Sequence, residues 1–206
     1  LVDQKQIPHV DRWAIQNDLF ALCIAGKEDV ANYLDFTDAY FDEDSYLPQT
    51  NVANNLNFLA SLTFFEDFGV EIREYAINYF RKILSNLGWM PKKSDKHTDA
   101  FLRGVSIFVL GKFGDDLIIE QAEIKFKAFL KNPSTLHPDI REAIFSLVAW
   151  NGNAKTHSQF ITLYKKAKTM EEKLRFLGAM CNFRNEKLLI KTLQFSQTSE
   201  VRSQNM

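Results

Sequence analysis

Apolar side chains recur every three to four residues along most of the chain, which is the spacing of one face of an α-helix. The clearest case is residues 70–87, where the apolar positions form a single stripe that ends before Gly88, a residue suited to a helix C-cap. Weaker stripes predict helices over residues 11–25, 28–36 and 51–68. The first part of the chain is therefore predicted to be helical.

The second part of the chain is patterned more regularly. Its apolar stripes predict two helix pairs, which are 99–110 with 117–130 and 138–150 with 154–167. Capping residues predict the helix starts that follow: Asn153, the capping box Thr169-x-x-Glu172, and Asn185. The starts at 99, 138 and 169 lie ~30–40 residues apart, as in two-helix solenoid units. We expect an all-α fold of antiparallel helix pairs in an α-superhelical array similar to HEAT or armadillo repeats.

Composition agrees with a helical globular protein. The 206 residues include only 8 Gly and 5 Pro, too few for the frequent turns of a β-sandwich or barrel. We expect a single helical domain over residues 1–206. The chain does not begin with Met, and Ser199-Glu-Val201 has the pattern of a helix start. We therefore expect a fragment cut from a longer helical array at both ends, whose exposed apolar ends favour self-association.

The charges exclude several classes of partner. With 25 basic and 26 acidic side chains, the chain lacks the basic excess of a nucleic-acid binder, and it has no apolar run long enough to span a membrane. We expect neither a nucleic-acid nor a membrane partner, and the absence of a targeting segment favours a cytoplasmic location. The charge is uneven, because residues 1–120 carry 11 basic and 19 acidic side chains whereas residues 121–206 carry 14 and 7.

The densest acidic stretch, residues 35–44, raises the question of a metal site. A calcium loop of the EF-hand type beginning at Asp42 would need glycine at its sixth position, where Leu47 stands. A solvated acidic loop is therefore favoured over a metal site.

Catalytic motifs are absent from these 206 residues. The four histidines do not form a His-Glu-x-x-His zinc helix, and no Gly-x-Ser-x-Gly nucleophile motif occurs. His157 is interpreted as an exposed or partly hydrogen-bonded side chain rather than a metal ligand. No catalytic residue, metal ligand or cofactor is predicted, and pattern alone would describe the chain as a soluble helical scaffold.

Seven short motifs, spread in order over nearly the whole chain, resemble one family. They are Asp11-Arg-Trp-Ala-Ile-Gln-Asn-Asp-Leu-Phe-Ala-Leu-Cys-Ile-Ala-Gly26, Leu87-Gly88-Trp89, Leu102-Arg103, Ala122-x-x-x-Phe126, Pro138-Asp-Ile-Arg141, Glu171-Glu-Lys-Leu-Arg-Phe-Leu177 and Val201-Arg-Ser-Gln204. Their order and spacing resemble the C-terminal helical domain of zinc aminopeptidases such as aminopeptidase N, puromycin-sensitive aminopeptidase and the tricorn-interacting aminopeptidases.

The resemblance implies a function. In that family, a preceding domain carries the zinc helix and the Gly-x-Met-Glu-Asn loop, and the helical domain covers the zinc site and encloses a chamber for the peptide. This chain would then be the non-catalytic C-terminal part of a zinc aminopeptidase, expected to be inactive alone. Its expected partners are the catalytic domain of the same polypeptide, which would hold the zinc, and peptide substrates.

The resemblance also suggests substrate-binding residues. Some relatives place a basic residue near the segment Met180-Cys-Asn-Phe-Arg184, where it meets the C-terminal carboxylate of the peptide. The corresponding candidates are Asn182 and Arg184, together with Arg202 in the closing motif, because guanidinium groups suit carboxylates. For both arginines an intramolecular salt bridge or helix-end contact is the alternative. The chain departs from the family at Tyr46-Leu-Pro-Gln49, where many relatives carry Tyr-x-x-Trp, and at Asn205, where relatives carry Asp.

A second function remains open from the sequence. The helix-pair spacing also fits a free-standing HEAT- or armadillo-like scaffold whose concave face binds a peptide or a partner helix. A His-Glu-x-x-His helix encoded upstream of Leu1 would favour the aminopeptidase hypothesis over this alternative.

Overall fold

The computed structural model describes residues 1–205, and the regular structure in this range is helical. Ten α-helices are described: α1 (His9–Ile24), α2 (Val30–Thr37), α3 (Tyr46–Leu62), α4 (Gly69–Leu87), α5 (Asp99–Lys112), α6 (Asp116–Lys131), α7 (Pro138–Trp150), α8 (Ala154–Lys166), α9 (Met170–Met180) and α10 (Glu186–Ser196). Single 3-10 turns lie at Asp38–Tyr40, Pro133–Thr135 and Ser203–Asn205. The predicted all-α class is confirmed.

The contacts divide the chain into two compact units, and the division falls within α5. Unit 1 comprises residues 1–109, and unit 2 begins at residue 110. The expectation of one domain over residues 1–206 stays a prediction.

In unit 1, α1 packs against α2 and α3, and α3 packs against α4. A polar network lies inside this core: the Tyr33 hydroxyl donates to Gln16 Oε1 at 3.0 Å, and Asn55 Nδ2 donates to the Tyr33 hydroxyl oxygen at 2.9 Å. All three side chains are buried, and burial raises the pKa of Tyr33. Because each buried polar group has a partner, the network costs little and links three helices.

A buried ion pair joins α1 to the segment before α3. Arg12 Nε and Nη2 donate to the two carboxylate oxygens of Glu43 at 2.6 and 2.8 Å. The neighbouring acidic side chains also have partners, since Asp42 pairs with Lys82 at 2.8 Å and Asp44 pairs with Lys5 at 3.2 Å. The predicted solvated acidic loop is thus an acidic turn whose central carboxylate, that of Glu43, is buried.

Unit 2 is built around phenylalanine rings from four helices. Phe145 of α7 lies 5.9 Å from Phe126 of α6, 6.0 Å from Phe160 of α8 and 5.1 Å from Phe176 of α9, measured between ring centres. These large side chains account for much of the apolar area buried in the unit.

The helix partners in unit 2 differ from those predicted. The main packing is of α6 on α7, α7 on α9 and α8 on α9, whereas α7 and α8 make few contacts with each other. The predicted pairs were α5 with α6 and α7 with α8, whereas the consecutive helices that pack most closely are α6 with α7 and α8 with α9. The phenylalanine rings instead direct the apolar faces of both α7 and α8 towards α9.

Two boundaries also differ from the prediction. Helix α3 runs from Tyr46 to Leu62, whereas the predicted range was 51–68, so both ends lie about one and a half turns earlier than predicted. Pro48 lies in its first turn, where proline is tolerated because the amide groups there have no partner within the helix. Residues 198–202 form turns, so the predicted helix start at Ser199 is wrong within the described residues.

Candidate functional site

Two of the predicted substrate-binding residues, Asn182 and Arg184, lie in the loop between α9 and α10. The Asn182 amide donates to the Gly178 carbonyl at 3.1 Å. Arg184 Nε donates to the Trp150 carbonyl at 3.2 Å, and its guanidinium carbon lies 5.4 Å from the centre of the Trp150 indole. Arg184 therefore makes a helix-end contact, which was the alternative predicted for it, while its side chain stays exposed.

The ammonium group of Lys112 is a second cation next to Trp150. Lys112 Nζ lies 5.6 Å from the Trp150 ring centre and 5.7 Å from that of Phe113. Burial lowers the pKa of Lys112. Cation–π contacts of this kind contribute about 0.5–1 kcal/mol at exposed sites and more when they are desolvated. The half-buried indole thus contacts one cation from the end of α5 and one from the loop between α9 and α10. We call Lys112, Trp150, Asn182 and Arg184 the tryptophan edge.

Gly152, in the turn between α7 and α8, packs closely against Phe183 in the loop between α9 and α10. A Cβ atom at residue 152 would lie 2.7 Å from Phe183 Cε1 and 2.7 Å from the Val148 carbonyl oxygen. Only glycine therefore lets the turn between α7 and α8 pack against Phe183, next to Arg184.

His157 lies buried behind the same loop, with 3% of its surface exposed. Its Nε2 is 3.0 Å from Thr192 Oγ1, and the Thr192 hydroxyl in turn lies 3.0 Å from the Leu188 carbonyl, to which it donates. Burial first, and the charge of Lys191 second, lower the pKa of His157. Of the two predicted states, exposed or partly hydrogen-bonded, the structure has the second: His157 is buried, and its contact with Thr192 links α8 to α10.

The third predicted residue, Arg202, lies elsewhere. It follows α10 in the segment where the Tyr164 hydroxyl donates to the Glu200 carbonyl at 3.2 Å and Asn205 Nδ2 contacts Met170 Sδ at 3.3 Å. Met170 begins α9, whereas Arg184 follows the end of α9. An 11-residue helix is about 16 Å long. The structure therefore brings Asn182 and Arg184 together and places Arg202 at the other end of α9.

A groove that the sequence interpretation missed runs along α8. It has a volume of about 330 Å³ and is lined by Leu130 of α6 and by six residues of α8: Lys155, Ser158, Gln159, Thr162, Leu163 and Lys166. Lys155 and Lys166 are 11 residues apart, a spacing that returns to the same helix face. That spacing was visible in the sequence, whereas the contribution of Leu130 was not.

Several of the family-like motifs contact one another. Arg103 Nε donates to the Gly88 carbonyl at 2.9 Å, which joins the Leu102-Arg103 and Leu87-Gly88-Trp89 motifs. Arg141 lies 3.8 Å from Glu172 and thereby links two further motifs. Residues of different motifs are thus in direct contact in the folded chain.

Within residues 1–205, no three His, Cys, Asp or Glu side chains come together in a group that could hold a metal ion. None of the helices described is long and apolar enough to cross a membrane.

Comparison with known proteins identifies the family. The model of the ERAP1-like C-terminal domain matches residues 1–206. Aminopeptidase M1 of Arabidopsis thaliana is 30% identical over 98% of this chain and 24% of its own length. Aminopeptidase M1-A of Oryza sativa subsp. japonica is 26% identical over 99% of the chain and 24% of its own length. Probable aminopeptidase 2 of Sulfurisphaera tokodaii is 25% identical over 100% of the chain and 24% of its own length.

The chain thus spans about a quarter of the length of these curated relatives. The match extends along all 206 residues, as the resemblance of the ordered motifs implied. The chain belongs to the ERAP1-like C-terminal domain family.

Proposed function

We propose that this chain is the non-catalytic C-terminal domain of a zinc metallo-aminopeptidase, where it covers the active site and shapes the chamber for the peptide substrate. The observation that carries the proposal is the family match over the whole chain, together with relatives named as aminopeptidases that are about four times as long. In such an enzyme, closure of a covering domain excludes water and completes the substrate site, and opening releases product.

The zinc of this proposal belongs to the catalytic domain. Zinc sites in proteins use three or four His, Cys, Asp or Glu ligands, and residues 1–205 bring no such group together. The described residues therefore do not fit a zinc site.

The catalytic domain of the same polypeptide is the proposed partner of unit 1. The turn between α3 and α4 exposes a group of large apolar side chains, of which Phe65 is 94% exposed. Its other members are Leu62, Phe68 and Val70. Large apolar side chains exposed close together along the chain are typical of contact sites, which supports a contact with the catalytic domain.

Peptide substrates are the proposed ligands of the tryptophan edge. One of the five N–H donors of the Arg184 guanidinium is used by the Trp150 carbonyl, and the exposed side chain can offer others to a carboxylate. Asn182 lies two residues away and supplies an amide. Arg202 would make a separate contact, because it lies at the other end of α9.

The test is a comparison of two substrate types in the full-length enzyme. Arg184→Glu is expected to raise KM about tenfold for peptides, whose terminal carboxylate it would repel, and to leave KM for aminoacyl anilides unchanged. Lys93→Glu, an equal charge change at an exposed site in unit 1, serves as the control. An equal effect of Arg184→Glu on both substrate types would contradict the role of Arg184.

The non-catalytic part of the proposal has its own test. The isolated chain is expected to leave aminoacyl anilides intact. Hydrolysis by the chain alone that a chelator abolishes would show that this part is wrong.

A further inference from the structure

We propose that the groove along α8 binds an extended, acidic peptide segment. The groove lies wholly within unit 2 and is open along the length of the helix, with Lys155 near one end and Lys166 at the other. The proposal does not depend on aminopeptidase activity, because it concerns binding by this chain alone.

The two lysines act together because of their register. Eleven residues of α-helix make three turns plus about 20°, and they extend about 16 Å along the axis. Lys155 and Lys166 therefore project from the same face of α8, one above the other. A ligand lying parallel to the helix can reach both ammonium groups at once.

Their charges are unmatched within the part of the chain that the structure describes. Nearby lysines do have acidic partners, since Lys127 pairs with Glu123 at 3.2 Å and Lys165 pairs with Glu200 at 3.1 Å. Lys155 and Lys166 are exposed and have no such ion pair in residues 1–205. Residues 121–206 carry twice as many basic as acidic side chains, so the surrounding field favours a negative ligand.

The groups between the lysines suit a peptide backbone. The Ser158 hydroxyl donates to the Ala154 carbonyl at 3.0 Å, and the Thr162 hydroxyl donates to the Ser158 carbonyl at 2.9 Å. Because both protons are used by the helix, the two oxygens can accept hydrogen bonds from a ligand. They lie four residues apart, about 6 Å along the helix. Amides on one side of an extended peptide repeat about every 6.6–6.8 Å.

The remaining lining residues complete an amphipathic groove. Leu130 and Leu163 supply apolar contacts, and the Gln159 amide can both donate and accept. Side chains on one side of an extended peptide recur every second residue, and four residues span about 13 Å. The lysines are separated by about 16 Å along α8. Their flexible side chains can make up the difference between this separation and the span of the peptide. The expected ligand therefore carries two carboxylates four residues apart.

The test is fluorescence anisotropy of the full 206-residue chain with a labelled octapeptide, Gly-Glu-Ser-Ala-Ser-Glu-Ser-Gly. A second peptide with Gln in place of both Glu residues is the ligand control. The acidic peptide is expected to bind about tenfold more tightly than the Gln peptide. Equal binding of the two peptides, or no binding of either, would overturn the proposal.

Protein variants separate the groove from overall charge. The double variant Lys155→Glu/Lys166→Glu is expected to weaken binding of the acidic peptide about tenfold or more. Lys93→Glu/Lys187→Glu makes the same change in net charge at exposed sites outside the groove and is expected to stay within about twofold of the unmodified chain. Unchanged circular dichroism at 222 nm verifies folding of both variants. An equal loss in both would overturn the proposal.

A lipid surface is the competing source of negative charge. Phosphatidylserine vesicles are expected to bind the chain no better than neutral phosphatidylcholine vesicles. If anionic vesicles were captured through Lys155 and Lys166 while the acidic peptide was not, the groove would be a membrane contact and the peptide proposal would be wrong.

Discussion

Replacing Arg12 with methionine is expected to destabilise unit 1 strongly, because it leaves the carboxylate of Glu43 buried without its counter-charge. Only 5% of the Arg12 surface is exposed, and its guanidinium donates twice to Glu43 and once to the Ile7 carbonyl at 2.6 Å. Glu43 also accepts from the backbone N–H groups of Ser45 and Asp44 at 2.8 and 3.0 Å. The carboxylate is thus held in place after its partner is removed.

The magnitude follows from the burial of this pair. Removing one partner of a buried ion pair costs about 3–5 kcal/mol, whereas exposed pairs contribute about 0–1 kcal/mol. For a chain of this length, such a loss lowers the melting temperature by about 10 °C. Arg12→Met combined with Glu43→Leu is expected to recover much of the loss, because it removes the buried charge as well.

The assay is chemical and thermal unfolding followed by circular dichroism at pH 7. The exposed pair of Lys127 and Glu123, four residues apart on α6, provides the control, and Lys127→Met is expected to change the free energy of unfolding by less than about 0.5 kcal/mol. A loss of less than about 1 kcal/mol for Arg12→Met would refute the reasoning.

The same pair predicts a pH dependence. Burial raises the pKa of Glu43, but the hydrogen bonds from Arg12, Ser45 and Asp44 and the charge of Arg12 outweigh it, so the net pKa is lowered. A lowered pKa in the folded state means that the stabilisation is complete above the unfolded pKa of about 4.3 and is lost as the pH falls through the folded value. The difference between the unmodified chain and Arg12→Met should therefore be largest near neutral pH and shrink in acid.

Three further predictions concern packing, titration and cooperativity. Gly152→Ala is expected to cost about 1–3 kcal/mol, because its Cβ would meet Phe183, whereas Gly178→Ala on α9 meets nothing within 4 Å and should stabilise by up to about 1 kcal/mol; urea unfolding of both variants compares them. The lowered pKa of His157 predicts that stability falls as the pH drops below about 6.5, and His157→Gln should flatten that part of the stability profile. If residues 1–206 form one domain, circular dichroism and tryptophan fluorescence should report the same unfolding midpoint, and separated midpoints would contradict it.

Local signals in the sequence predicted the helices well. The side chains of Asn153, Thr169 and Asn185 accept hydrogen bonds from backbone amides at the starts of α8, α9 and α10, as their sequence context indicated. Capping depends on residues within one turn of each other, so a single sequence contains the information. The start of α3 was placed too late because the apolar stripe that predicted it begins at Val52, whereas the helix begins at Tyr46 and has Pro48 in its first turn.

Contacts between distant residues could not be predicted in the same way. The approach of Lys112 and Arg184 to Trp150 joins positions 38 and 34 residues from the indole, and periodicity contains no information about such separations. The partners of α7 and α8 were likewise decided by phenylalanine packing against α9. The motifs indicated Asn182 and Arg184 only through their resemblance to a family, and the structure added the aromatic ring on which Arg184 lies.

The most direct test of the proposed function is the hydrolysis of aminoacyl anilides by the native polypeptide that contains residues 1–206, assayed beside the isolated chain. The native polypeptide is expected to hydrolyse them, to lose activity with a chelator and to regain it with zinc, while the isolated chain stays inactive. Activity of the isolated chain, or no aminopeptidase activity in the native polypeptide, would contradict the assignment of this chain as the non-catalytic C-terminal domain of such an enzyme.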